Sequence, residues 1–234
     1  MTCIVGIVDK NRVVIGSDSL ASTDDYGRER LDKKVFAQGD YIFGVCGSYR
    51  AAQILKYNVD YPKFLPKYVI GKPVLKGGKL ADNGMPVKSG VLNIKGRRIQ
   101  VLDPNEHNKL EAIHAFFVRE IVPKIRMAFE THSFDPKIED NYFSILVGID
   151  KYIIEIEDDF EVGVYNDWAS AGSGIHYATS SLHTVEMMNS AGLAKNITAD
   201  DKLTLALSTS SAYVSSVGGT LYAIDTINKT PYIL

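Results

Sequence analysis

"MTCIVGIVDKNRVVIGSDSL" (residues 1–20) decides how this chain is read. Chain ends are ordinarily polar and fray in solvent, yet here apolar alternation starts at once. Residues 2–8 and 12–18 are β-branched runs either side of Asp9-Lys10-Asn11, the pattern of a β-hairpin. A three-residue loop sets Thr2 opposite Asp18, within the ~5 Å of directly paired positions. Either this end is a plain edge strand, or the free amino end belongs to a site.

Working outward, residues 34–37 and 41–46 form a second hairpin around Gln38-Gly39-Asp40. A two-residue Gly39-Asp40 loop puts Lys34 opposite Val45, beside the strand end that runs into Cys46-Gly47-Ser48. A slip of one residue in either loop turns these partners to the other face. Ser48 is a suitable N-cap for a helix carrying Ala51, Ile54 and Leu55. Helical spacing of Leu110, Ile113, Phe116, Phe117, Ile121 and Ile125 predicts a helix over 109–131. Three strands follow (142–150, 152–157, 160–165), then helices near 174–190 and 199–215, then a terminal hairpin of 220–225 and 231–234. Strands, helices, strands, helices, strands is the order of an α+β sandwich of sheets with helices outside, not of regular βαβ alternation.

Between Lys63 and Arg98 the character changes. Seven Lys and two Arg against one Asp give +8, which leaves −10 for the rest of a chain whose net charge is −2. Pro and Gly are dense there, which argues for loops and short hairpins, and "VLNIKGRRIQVL" (91–102) reads as a hairpin turning at Lys95-Gly96. Residues of about 60–108 are therefore expected to be a surface insertion on one domain spanning 1–234.

Composition narrows the function classes. An overall charge of −2 gives no general pull toward nucleic acid. Only Phe64 and Tyr68 interleave with the basic charges, so no base-stacking module is expected. No run of about 18 apolar residues predicts a membrane span, and no secretory leader pattern is present. Cys3 and Cys46 make neither a disulfide framework nor a metal-ligand spacing, and His107, His114, His132, His176 and His183 show no metal spacing either. No cofactor or metal is expected, and a reducing cytoplasm is the simplest setting.

The two hairpins bring together a Thr, an Asp, a Lys and a Gly turn, and that set has a chemical use. A threonine hydroxyl is a poor nucleophile unless a base takes its proton, and a free α-amine on the same residue can do so. With an ordinary pKa of ~8, that amine needs only a small depression to be largely neutral at pH 7. A neighbouring Lys ammonium supplies the depression by like-charge repulsion, and a carboxylate beside the Lys keeps it charged. A backbone N–H at a glycine can face the developing oxyanion.

The segments "MTCIVGIV…VVIGSDSLAS…LDKKVF…IFGVCGS…ASAGSGIHYA" resemble the N-terminal-nucleophile hydrolases of the proteasome β-subunit and bacterial HslV type. The likeness runs over roughly residues 2–55 and 142–225. It implies a four-layer αββα sandwich and a homo-oligomeric chamber. It also implies a threonine peptidase acting on peptide or unfolded protein, with an ATPase as a further partner; the basic insertion, for its part, reads either as a solvated surface loop or as a dock for an acidic partner. Carried across, Thr2 is nucleophile and base once Met1 is removed, Asp18 orients the lysine, and Lys34 tunes the amine. Gly47 supplies the oxyanion N–H and Ser173 supports the terminus. Two departures stand out: Ser48 occupies the place of a second glycine, and "YVSSVGGT" (213–220) keeps the double glycine without the Asp that proteasome subunits set before it, as HslV-type chains do.

Other readings stay open. Lys33 is the immediate neighbour of Lys34, and a solvated pair is the ordinary explanation for two adjacent lysines. Ser173 also suits a plain helix N-cap. Cys3 becomes the nucleophile only if Thr2 is removed too. "GSDSL" (16–20) is broken by Ser17 as an esterase motif. A non-peptidase amidohydrolase acting on a small amide, or a silent assembly subunit, also fits the same fold.

Overall fold

The computed structural model describes residues 2–22, 26–64, 90–94, 97–101, 104–138, 141–194 and 196–234, with 90–94, 97–101 and 104–108 as backbone only. Two five-stranded antiparallel sheets dominate. The first has the order β12(Trp168–Gly172), β1(Cys3–Asp9), β2(Arg12–Ser17), β13(Tyr222–Asp225), β14(Tyr232–Ile233). The second runs β11(Val162–Tyr165), β10(Tyr152–Glu157), β9(Phe143–Ile149), β6(Tyr41–Gly47), β5(Val35–Gln38).

Strand alternation assigns the layers. Cys3, Val5 and Ile7 of β1 pack outward against α4(Ile175–Ser190) and α5(Ala199–Tyr213) through Ala178, Leu182, Leu203 and Leu207. Ile4, Val13 and Ile15 face the other way and meet Ile42, Cys46, Leu146 and Ile153 of the second sheet. That sheet's outer face, with Phe43, Ile145, Val147 and Ile154, is covered by α1(Tyr49–Tyr57) and by the helix formed from α2(Pro104–Phe116) and α3(Val122–Thr131). The result is helices, sheet, sheet, helices: the αββα sandwich.

Ser48 caps α1, its side chain accepting from the Ala51 N–H at 3.4 Å. The helix expected over 109–131 starts earlier, at Pro104, and widens into a π-helical segment at Phe117–Ile121. Pro123 lies at the start of α3 and lacks the amide that would continue the ladder. Two short hairpins stand apart from the main sheets: β3(Leu20–Ser22) with β4(Gly27–Glu29), and β7(Gly90–Ile94) with β8(Arg97–Val101). The latter pair matches the hairpin read in 91–102, although its turn at 95–96 and most of the basic segment lie outside the described residues.

The second hairpin has the expected register, with Val35 facing Gly44 and the Val45 N–H donating to the Lys34 carbonyl at 3.0 Å. The first hairpin does not. Ile4 faces Ser17 and Asp9 faces Arg12, so the loop has two residues, Lys10 and Asn11, not three. Lys10 adopts φ 55, the left-handed backbone that such a tight turn demands. Asp18 consequently comes level with Cys3 and not with Thr2.

Candidate functional site

Asp18 follows directly on β2 and is withdrawn from solvent. Its Oδ1 accepts from the Cys3 N–H at 3.0 Å and from Lys34 Nζ at 2.9 Å, and its Oδ2 from the N–H groups of Leu20 and Gly218 at 3.2 Å each. One carboxylate thus ties together the chain start, the β5 approach and the loop after α5. Lys34 Nζ also donates to the Leu20 carbonyl at 2.7 Å. Burial pulls the Lys34 ammonium below its ordinary pKa, and the adjacent Asp18 charge and hydrogen bond act against that fall.

Thr2 is 3% exposed and continues the alternation of β1 on the side between the sheets. Its carbonyl accepts from the Ser173 hydroxyl at 3.3 Å. Ser173 is not a helix cap, because α4 begins at Ile175 with Gly174 as its N-cap and no side-chain bond there. Its hydroxyl instead lies 3.2 Å from that of Ser216, a residue of "YVSSVGGT" whose part in this arrangement the sequence did not give away.

Two glycines allow close backbone approaches at this end of the sandwich, Gly172 to Thr2 and Gly47 to Tyr142. Gly172 has φ +91, and a Cβ on it would lie 2.2 Å from the Thr2 carbonyl oxygen. Gly47 has φ +86, and a Cβ would lie 2.1 Å from the Tyr142 carbonyl oxygen, which accepts the Ser48 N–H at 2.8 Å. A side chain is excluded at both positions by backbone conformation as well as by space.

Thr2, Lys34 and Gly47 line one small pocket of about 100 Å³, bounded further by Phe36, Val45 and Tyr49. The structure therefore brings Thr2, Asp18, Lys34, Gly47 and Ser173 to one end of the sandwich. Lys33 shares the pocket wall but not the Asp18 contact; its ammonium stands 4.8 Å from the Tyr222 ring centroid.

Both thiols are set apart from this chemistry. Cys3 turns its Sγ to the Ser210 hydroxyl of α5 at 3.4 Å, and burial pushes its pKa up to about 11. Burial likewise raises that of Cys46 to about 12. Neither is a thiolate near neutrality. Among the described residues, no group of three or more His, Cys, Asp or Glu is placed to hold a metal ion. No helix among them is long and apolar enough to cross a membrane.

No family model matches the chain, and no curated protein matches it by sequence. Solved structures do match it. BPH from Thiobacillus denitrificans in complex with epoxomicin aligns at 13% identity with a TM-score of 0.61, over 98% of this chain and 100% of that one. Anbu, the ancestral beta-subunit, from Yersinia bercovieri aligns at 12% identity and 0.56, over 100% and 86%. Eukaryotic HslV from Trypanosoma brucei aligns at 11% identity and 0.53, over 96% and 98%. At these identities the likeness defines the fold: this chain shares the αββα sandwich architecture of those structures.

Proposed function

We propose that the protein is a threonine peptidase that cleaves peptide bonds through an acyl-ester on Thr2, within a homo-oligomeric chamber in the cytoplasm. The observation that carries this reading is the buried Asp18–Lys34 pair, at 2.9 Å, whose lysine lines the pocket that Thr2 and Gly47 also line. An ion pair this dry is weak support for stability, since desolvation opposes its attraction. Its presence beside a buried threonine at the chain start is accounted for by chemistry.

With Met1 removed, the Thr2 α-amine takes the proton of the Thr2 hydroxyl as the oxygen attacks the substrate carbonyl. The Lys34 charge lowers the amine's pKa, so that the base is free near neutrality, and Asp18 keeps that charge in place. The developing oxyanion is assigned to the Gly47 N–H. The amine returns its proton to the leaving nitrogen, and water then hydrolyses the ester by the reverse use of the same groups. Ser173, through the Thr2 carbonyl and Ser216, fixes the backbone that carries the nucleophile.

The test is intact-mass spectrometry of protein beginning at Thr2 after incubation with epoxomicin, the compound in the BPH structure, and with a general electrophilic inhibitor. A stoichiometric adduct mapped to Thr2, together with hydrolysis of a fluorogenic peptide, is the expected result. No adduct and no turnover would leave the silent assembly subunit as the reading.

A further inference from the structure

We propose that the pocket beside Thr2 selects an acidic side chain, Asp or Glu, on the residue whose carbonyl acylates Thr2. The proposal rests on the peptidase reading and names its substrate class. In an acyl-ester mechanism the side chain nearest the nucleophile belongs to the residue being acylated onto it, so the pocket that contains Thr2 is the one that reads it.

The floor of that pocket is apolar, with Phe36 and Val45 both buried. Its charges are uneven. Lys34 Nζ is tied to Asp18 and the Leu20 carbonyl, and Asp32, the one carboxylate among the pocket's described lining residues, is engaged by Arg30, whose Nε donates to it at 2.6 Å. That contact holds the Asp32 carboxyl below its ordinary pKa. Of the two further lysines on the lining, both half-buried and neither in a salt bridge among the described residues, Lys33 turns its ammonium to the Tyr222 ring, outside the lining, which leaves Lys56. Lys56 reaches over the apolar floor, 5.8 Å from the Phe36 ring centroid and 5.1 Å from that of Tyr57.

A carboxylate entering this space gains the Lys56 cation in a partly dry setting, where attraction exceeds its value in water. A lysine or arginine side chain meets that like charge, and its natural partner, Asp32, is already taken. An uncharged side chain gains the Phe36 surface alone. A volume of about 100 Å³ holds several water-sized groups, so there is room for a short carboxylate-bearing chain.

The experiment uses protein beginning at Thr2 and a matched peptide series, identical but for a final residue of Glu, Gln, Leu or Lys. Each sequence is made both as a fluorogenic amide and as an electrophilic inhibitor. Glu and Gln differ in charge and hardly in shape. Expected are a kcat/KM and a rate of Thr2 adduct formation at least tenfold higher for Glu than for Gln, with Lys lowest and the gap narrowing as salt rises. Lys56→Gln should shrink the Glu-to-Gln ratio, and Lys56→Glu should bring Lys above Glu. Adduct formation that is equal for Glu and Gln, or fastest for Leu or Lys, overturns the specificity while the peptidase reading stands. Absence of any Thr2 adduct with every inhibitor overturns both.

Discussion

Lys34 Nζ donates to Asp18 Oδ1 at 2.9 Å, with the lysine side chain 3% and the aspartate side chain 0% exposed. The two residues are not equivalent partners. Asp18 also accepts three backbone N–H groups, from Cys3, Leu20 and Gly218, and so keeps much of its satisfaction without the lysine. Among the described residues, Lys34 has the Leu20 carbonyl as its other hydrogen-bond partner.

The first prediction follows from that asymmetry. Asp18→Ala strands a buried ammonium and three backbone donors and should cost stability on the scale of a broken buried pair, ~3–5 kcal/mol. Lys34→Met should cost less stability but reduce the rate by at least the ~10²-fold typical of acid–base assistance. Lys33→Ala should keep Thr2 reactive toward an uncharged electrophile. Denaturant unfolding and adduct kinetics on the three variants check this. A loss of Thr2 reactivity in Lys33→Ala, with Lys34→Met unimpaired, would assign the role to the wrong lysine.

The second prediction concerns Thr2 as both nucleophile and base. Thr2→Ala should abolish hydrolysis while circular dichroism and thermal unfolding stay near the parent, since the contact from Ser173 reaches the Thr2 backbone and not its side chain. Thr2→Ser should retain more activity than Thr2→Ala. Protein that keeps Met1 should be inactive, because an acylated amine cannot take a proton. Full turnover by Met1-bearing protein would end the mechanism.

The third concerns the close approach of Gly172 to the Thr2 carbonyl. A methyl group there meets backbone oxygen at 2.2 Å and requires φ +91 of a residue that disfavours it. Gly172→Ala should therefore displace the chain start: Thr2 adduct formation should be lost, and amide exchange of Cys3 should quicken. Unaltered labelling would mean that β12 can yield without moving Thr2.

These relationships were unequally legible in the sequence. Hairpin arithmetic sets Lys34 beside the strand that runs into Gly47, and the second hairpin obeys it through Gly39-Asp40. The first failed by one residue because Lys10 takes a positive φ without the glycine that usually announces it. Residues on either side of the turn look the same for two- and three-residue loops, and β1 is held in register from its other side by β12. That strand, "WASAG", went unread because it is built of small residues and not β-branched ones. Its strand state comes from pairing with β1 and from side-chain bonds to α4, Ser170 with Thr179 at 2.8 Å and Trp168 with Glu186 at 3.0 Å. The contact between Ser173 and Ser216 joins residues 43 apart, a separation no local pattern encodes.

The fourth prediction is a pH dependence of stability. Burial, reinforced by the charge of Glu155 and opposed by a 3.1 Å bond from the Ser144 hydroxyl, pushes the Glu157 carboxyl from 4.5 up to about 7. The folded state then binds the proton more tightly than the unfolded one. The stabilisation is complete below about pH 4.5 and is lost as pH rises through about 7. The difference in thermal midpoint between the parent and Glu157→Gln should therefore move against the parent across that window and be constant outside it. A flat difference would mean that folding does not raise the Glu157 pKa.

The last prediction concerns the basic segment, +8 over residues 63–98 against −10 elsewhere. At its near end Phe64 is anchored, its N–H donating to Asp40 at 3.0 Å and its ring edge-on to Phe116 at 5.7 Å. Those contacts belong to the main body, so trimming residues 72–98 to a short Gly-Ser linker should preserve both the fold and Thr2 labelling. We propose that the segment serves association, its basic residues in one copy meeting the acidic remainder of the next or an acidic partner. Exposed charge pairs are individually weak and screened by salt, so many must act together, and assembly through them should loosen as ionic strength rises. Sedimentation of the full and trimmed proteins at low and high salt separates the outcomes. A smaller oligomer on trimming, and on adding salt to the full chain, is expected. An unchanged, salt-insensitive oligomer in both would reject the docking role, and lost labelling in a folded trimmed variant would bring the segment into the active site.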